Sequence, residues 1–238
     1  MNSTPAKDPS PLFDHYGQTY DEAMRKSIGF MGQSHEYFTA YKADGIVELL
    51  RQHVGPPPQL QVLDVGCGIG KTDRFLAERL GGLTGVDVST ESILRARSDN
   101  PTVRYESYDG RHLPFQDGAF DAGFCICVLH HVPPDERVPL LVEVSRVLKP
   151  GGLLMIFEHN PWNPLTRLSV ARCDFDRDAQ LLTRRESVRL LIQAGLSLVV
   201  RRYILFSPFR IPGFNRLERR MPSIPLGAQY VVAGRKTP

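Results

Sequence analysis

The chain predicts an α/β fold, a doubly wound and mostly parallel seven-stranded sheet with an N-terminal helical cap and an inserted lid before the last strand. Three observations predict it. From Leu60 to His159 short β-branched runs alternate strictly with amphipathic helical ones. The run "GLLMIF" is apolar without alternation, as a strand buried on both faces must be. A glycine-rich loop follows the first strand, where open sheets of this kind hold their ligands.

The elements follow in order. "YFTAYKADGIVELLRQHV" has apolar residues at helical spacing and stops at "GPPPQ", whose prolines cannot continue a helix. Then come strand "LQVLDV", a helix from about Lys71 to Leu80, strand "LTGVDV", helix "TESILRARSD" and strand "VRYESY". Strand "AFDAGFCICVL", helix "PDERVPLLVEVSRVLK" and strand "GLLMIFEH" complete the alternating part. Beyond Asn160 the pattern loosens until "TRRESVRLLIQAGL", a helix with a capping box at Thr183 and Glu186 and a stop at Gly195. "LSLVVRRYILF" and "AQYVVAGRK" read as two more strands, and the Pro- and Arg-rich stretch 207–227 between them reads as a lid. The expected organisation is a cap segment over 1–45 and one domain over 46–238, with 167–227 partly serving as lid and acceptor site.

With 42% hydrophobic and 23% charged residues in 238, the composition is that of a soluble globular chain. No run approaches the ~18 apolar residues of a membrane span. The start "MNSTPAKDPSPLFDHYG" has neither the basic end nor the apolar centre of a signal peptide, so a cytoplasmic location is expected. Four cysteines, Cys67, Cys125, Cys127 and Cys173, are too few and too irregular for a disulfide framework or a zinc site, so no metal is expected. The net charge of +3 conceals an asymmetry: residues 1–164 carry 15 Lys and Arg against 21 Asp and Glu, and residues 165–238 carry 14 against 5. A basic last third suits phosphate, nucleic acid, an anionic membrane surface, or only a solvated face.

The stretch "VLDVGCGIGKT" resembles several nucleotide loops, and spacing separates them. A phosphate-binding Gly-x-x-x-x-Gly-Lys-Thr needs glycine where Val65 stands, and a dinucleotide Gly-x-Gly-x-x-Gly needs it where Lys71 stands. Asp64 lies just before the glycines, where a carboxylate would repel phosphate and suit a cation. Asp87 closes the second strand 21 residues after Gly66, where an acid can accept ribose hydroxyls. A ligand with a ribose and a cationic group is implied, namely S-adenosylmethionine.

The collinear motifs "VLDVGCGIG", "GVDVS", "SYDG", "FDAGFCICVLHHV" and "RVLKPGG" resemble the class I S-adenosylmethionine-dependent methyltransferases, in their small-molecule branch, whose sheet is Rossmann-like. The resemblance implies that Asp64, Gly66, Cys67 and Gly68 line the methionine end of the cofactor. It implies that Asp87 holds the ribose, Val88 packs on the adenine and Asp109 with Gly110 meets the adenine amino group. Cys127 and Val128, at the end of the fourth strand, would close over the donor. "FDHYGQTYD" resembles the segment that folds over the cofactor, with Tyr16 or Tyr20 facing the sulfonium, or else packing on the domain.

Methyl transfer needs alignment of donor and acceptor, and a base only where the acceptor must lose a proton. His130 and His131 in "VLHHV" are the candidate bases, His130 first because it lies nearer the strand end; the pair is otherwise a feature of the fold alone. Glu158, His159, Asn160 and Trp162 in "EHNPWNP" are candidate acceptor contacts, with a loop anchor as the other reading of Trp162. Arg210 in the lid suits a phosphate-bearing acceptor. The expected reaction is methyl transfer to a small-molecule acceptor, at a hydroxyl, on a sugar, phosphate-bearing or lipid-linked intermediate. Against a nucleic-acid methyltransferase stands "LHHVPP", where base-modifying enzymes of this fold carry Asn/Asp-Pro-Pro-Tyr/Phe. A non-catalytic cofactor-binding protein is the third class.

Overall fold

A computed structural model describes residues 27–29, 35–207 and 224–237. Seven strands form one sheet: β1 (Gln61–Val65), β2 (Gly82–Asp87), β3 (Arg104–Ser107), β4 (Phe120–Ile126), β5 (Leu148–His159), β6 (Leu196–Ile204) and β7 (Gln229–Lys236). Their spatial order is β3-β2-β1-β4-β5-β7-β6. All neighbours pair in parallel up to β5, and β7 runs antiparallel between β5 and β6. The order reverses between β1 and β4, so the chain leaves both strands at one edge and turns opposite ways, which opens a crevice there.

Among the described residues, five helices of nine residues or more flank the sheet: α1 (His35–His53), α2 (Thr90–Asp99), α3 (Arg137–Val147), α4 (Pro164–Arg172) and α5 (Arg184–Gln193). Period-two alternation sorts the strand residues to the two faces. Val62, Leu153, Met155 and Phe157 pack with Ala43, Ile46 and Leu50 of α1 and with Ile93 of α2. Leu63, Leu154 and Ile156 face the other way, against Leu141 and Val144 of α3 and Leu191 of α5. Local signals set the helix starts: Ser89 accepts from Ser92 N, Asn163 accepts from Thr166 N, and the Thr183–Glu186 capping box forms as expected.

One predicted element differs. Residues 71–80 form turns around a short 3-10 segment, Asp73–Phe75, and not a full helix. The Asp73 side chain is fully buried and its carboxylate accepts a hydrogen bond from the Tyr105 hydroxyl of β3 at 2.8 Å. That inward pull is accompanied by tight i−3 bonds, from Phe75 N to Thr72 O and from Leu76 N to Asp73 O. Tertiary bonding thus overrides the helical pattern. Of the expected cap and lid, residues 1–26, 30–34 and 208–223 lie outside the described residues.

At the far side of the sheet, the buried Tyr230 hydroxyl of β7 donates to Leu182 O at 2.9 Å and lies 2.8 Å from Ser187 Oγ on α5. Tyr230→Phe keeps the ring and strands both partners, at a cost of ~1–3 kcal/mol. The expected reading is a lower urea midpoint with an unchanged m-value.

Candidate functional site

The carboxyl ends of β1, β2 and β4 open into a cavity of about 810 Å³. The loop after β1 is drawn against β2, because the N–H groups of Gly66 and Cys67 both donate to Val86 O, at 2.8 and 3.0 Å. Gly66 has φ +77 and passes so close to Val128 that a Cβ there would lie 2.5 Å from its Cγ2. Only glycine fits that approach. Gly68 N and Ser89 N donate to the two oxygens of Asp87 at 2.8 and 2.9 Å, which aims the carboxylate along the cavity wall.

Asp64 is buried at the cavity's base beside the buried Asp73; a proton on either lets the two carboxyls hydrogen-bond each other, and with both charged Oδ1 of each has no donor. Burial pushes the Asp64 carboxyl well above the ordinary carboxylate range, and the nearby Asp73 and Asp87 push it further. Burial likewise raises Asp73, to about 6. The amine of Lys42, from α1, lines the same cavity and opposes the rise at Asp64. An acidic corner with unpartnered oxygens is a place for a cation that brings its own donors.

Asp109 and Gly110 line the rim. The Asp109 carboxylate accepts from His112 N at 2.6 Å and Arg111 N at 2.8 Å, and these bonds, His112 first, hold it down at about 2. Cys127 and Val128 line the cavity, and Cys127 has φ +57; Leu205, also in the wall, has φ +59. Among the described residues these are the two non-glycine residues in the left-handed region. Burial lifts the Cys127 thiol to about 11, so it stays protonated and unreactive at neutral pH.

Beyond Cys127 lies a cluster of imidazoles and carboxylates. Glu158, fully buried at the end of β5, accepts from Leu129 N at 2.8 Å and faces His130 Nδ1 at 2.6 Å. Asp176 reaches in from the segment after α4, its Oδ1 3.4 Å from His130 Nε2 and 3.3 Å from His131 Nε2. Burial lowers His130, but the carboxylates of Glu158 and Asp176 outweigh it and hold the ring well above the ordinary histidine range. Burial lowers His131 and takes His159 down to about 4. His159 stacks near His130, with ring centroids 5.3 Å apart.

The structure thus places Asp64, Gly66, Cys67, Gly68, Asp87, Val88, Asp109, Gly110, Cys127, Val128, His130, His131 and His159 around one cavity. Three expected acceptor contacts stand elsewhere. Glu158 is turned away from the cavity to hold His130. Asn160, also fully buried, donates to Pro225 O and Gly227 O at 3.0 and 2.8 Å and accepts from Trp162 N, so its amide closes a loop. Trp162 is 69% exposed and outside the cavity lining. The order between the histidines also changes, since His130 is buried and held as a cation, whereas His131 faces the cavity with a lowered pKa. Tyr16, Tyr20 and Arg210 lie outside the described residues. Sequence reasoning missed Lys42, Asp73, Asp176 and Gln229, whose amide donates to the Cys127 sulfur at 3.4 Å. Asp176 had a signal: with Asp174 and Asp178 it makes a knot of acid within the basic last third.

Residues 62–152 match the family described as a methyltransferase domain. The chain is 31% identical over 161 residues to an uncharacterized methyltransferase of Synechocystis sp., which covers 66% of this chain and 76% of that protein. It is 37% identical over 108 residues to the 2-methyl-6-phytyl-1,4-hydroquinone methyltransferase of the same organism, covering 44% of this chain and 33% of that one. A sterol 24-C-methyltransferase of Schizosaccharomyces pombe is 30% identical over 215 residues, 86% of this chain and 49% of the other. The chain therefore spans from a third to about half of the length of the hydroquinone and sterol proteins. Among solved structures, that of the [4+2]-cyclase SpnF shares the fold with a TM-score of 0.69 over 99% of both chains, at 18% identity.

The cluster's dependence on Glu158 is measurable. Glu158→Ala leaves the Leu129 N–H without a partner and the buried imidazole of His130 with only the longer contact to Asp176, and is expected to cost ~3–5 kcal/mol in equilibrium unfolding. Loss of less than ~1 kcal/mol would show that His130 is neutral and the pair energetically idle.

Proposed function

Since the chain belongs to the class I S-adenosylmethionine-dependent methyltransferases, we propose that it moves the methyl group of S-adenosylmethionine to the oxygen of a small-molecule acceptor. The observation that carries the donor half is the unpartnered, buried Oδ1 of Asp64 beside the glycine loop. When bound, S-adenosylmethionine supplies an electrophilic methyl on a sulfonium, with a neutral thioether as leaving group. Asp64 meets the ammonium of its methionine end, and Asp87 accepts from the ribose hydroxyls. Val88, Asp109 and Gly110 border the adenine, and Cys127 with Val128 closes over the donor.

The acceptor takes the end of the cavity beyond Cys127, where His131 and Asp176 face it. An imidazole beside a carboxylate lowers the cost of removing a hydroxyl proton, which supports oxygen over an amine or thiolate. The protein's remaining task is alignment and exclusion of water. A carbon acceptor is the second reading, favoured by the similarity to a sterol 24-C-methyltransferase.

Calorimetric titration with S-adenosylmethionine tests the donor half, and no saturable heat at millimolar donor would end the reading. Asp64→Asn is expected to weaken donor binding ~10- to 100-fold, since a hydrogen bond to a charged group contributes ~1.5–3 kcal/mol. The cation ionises Asp64, while the free protein keeps a proton on the Asp64–Asp73 pair up to about pH 6 and beyond. Donor affinity therefore rises as pH rises through that range, and a proton leaves on binding; heats measured in two buffers of different ionisation enthalpy give its number. His131→Ala and Asp176→Asn should each lower kcat by ~10²-fold or more while the donor Kd stays within about twofold. Loss of donor affinity in both would assign these residues to the cofactor instead.

A further inference from the structure

The acceptor end of the cavity holds more ligating atoms than proton removal requires. Nε2 of His130 and Nε2 of His131 approach the same oxygen, Oδ1 of Asp176, at 3.4 and 3.3 Å, and the three atoms lie within 4.8 Å of one another. The His130 ring is fully buried, and its Nε2 meets the Asp176 carboxylate in a long contact of 3.4 Å and no closer hydrogen bond among the described residues. We propose that His130, His131 and Asp176 bind one divalent transition-metal ion of the zinc class.

Ligand chemistry, spacing and support agree. Two imidazoles and a carboxylate suit zinc, cobalt or iron, whereas magnesium and calcium take oxygen sets. Ligands ~2.0–2.2 Å from a tetrahedral ion stand about 3.3–3.6 Å apart, which is the spacing of both histidine nitrogens from Asp176. Glu158 faces His130 Nδ1 at 2.6 Å, so an ion that displaces the proton of Nε2 leaves the other proton on Nδ1 and takes the lone pair that Nε2 then presents. Three protein ligands leave a position open toward the cavity, as in sites that act on a bound molecule. The four cysteines argued against a metal, but none of them belongs to this cluster.

Binding of the ion stands by itself; its use rests on the methyl-transfer reading. There the acceptor hydroxyl sits at the open position, where the ion lowers its pKa. In this form His131 and Asp176 serve as ligands in place of the base: the acceptor loses its proton to bulk water as it binds, before water is excluded, the new O–C bond forms as the S–C bond breaks, and the electron pair of that bond stays on the sulfur.

The test uses the full chain, stripped with a chelator and titrated with Co²⁺ alone while its visible absorption is followed, with Zn²⁺ as competitor. One equivalent should bind saturably, with His131→Ala and Asp176→Asn each weakening it at least ~10-fold, and Cys127→Ser leaving it unchanged. A flat titration of the unmodified chain means that only a proton lies between these atoms and overturns the proposal. So does a signal that survives both the His131 and Asp176 variants, or one that vanishes with Cys127. Donor calorimetry on the same sample separates the two readings: retained donor binding with no cobalt signal removes the metal alone. Cobalt binding without donor binding removes the methyl-transfer reading and leaves the metal site.

Discussion

Parallel pairing of β1 with both β2 and β4 makes the chain leave three adjacent strands at one edge, and every feature of the site follows from that constraint. A parallel strand ends with unsatisfied backbone groups that the next loop must meet. Here Val86 O at the end of β2 takes two N–H groups from the loop after β1, so the glycine turn is bound to its neighbouring strand before any ligand arrives. The Asp87 carboxylate then bridges the same loop and the start of α2. Strand ends, glycine loop and helix start are one hydrogen-bonded unit.

The two ends of the cavity treat buried charge in opposite ways. At the Asp64 end, carboxylates are gathered without enough donors, which raises their pKa values and leaves oxygens unpartnered. At the His130 end, carboxylates sit beside imidazoles and are lowered. One end is deficient in positive charge and the other nearly balanced. A cationic donor is matched to the end that lacks positive charge, since it enters where its own charge compensates the burial.

The sheet order and the donor half of the cavity were legible because they are written locally. Strand patterns, the glycine loop, Asp64 and Asp87 lie within one βαβ stretch, and period and spacing report on such neighbours. The half around the histidines was not. Asp176 meets His130 across 46 positions of sequence and belongs to a stretch with no periodic signal, so only the fold brings it in. Lys42 arrives from α1, whose helical pattern reads as core packing. Glu158, Asn160 and Trp162 share one short segment after or at the end of β5, and residue type alone offered all three as cavity contacts, with a loop anchor as the other reading of Trp162. Alternation along the strand and the loop's own hydrogen bonds turn them three different ways. The helix expected over 71–80 failed for a related reason, because an aspartate that looks like surface is in fact bonded to Tyr105 in the interior.

Cys127 and Leu205 both hold a left-handed backbone without being glycine, and both stand in the cavity wall. Such a conformation costs an L-residue on the order of 1 kcal/mol, so each position would be more relaxed as glycine. Glycine would also remove the side chain that shapes the wall and would loosen the turn that presents it. Selection for stability alone and selection for the cavity's shape therefore point to different residues at these two sites. The conflict falls where β4 and β6 hand the chain to the pocket, so glycine at either position is expected to trade the shape of the cavity wall for a more relaxed backbone.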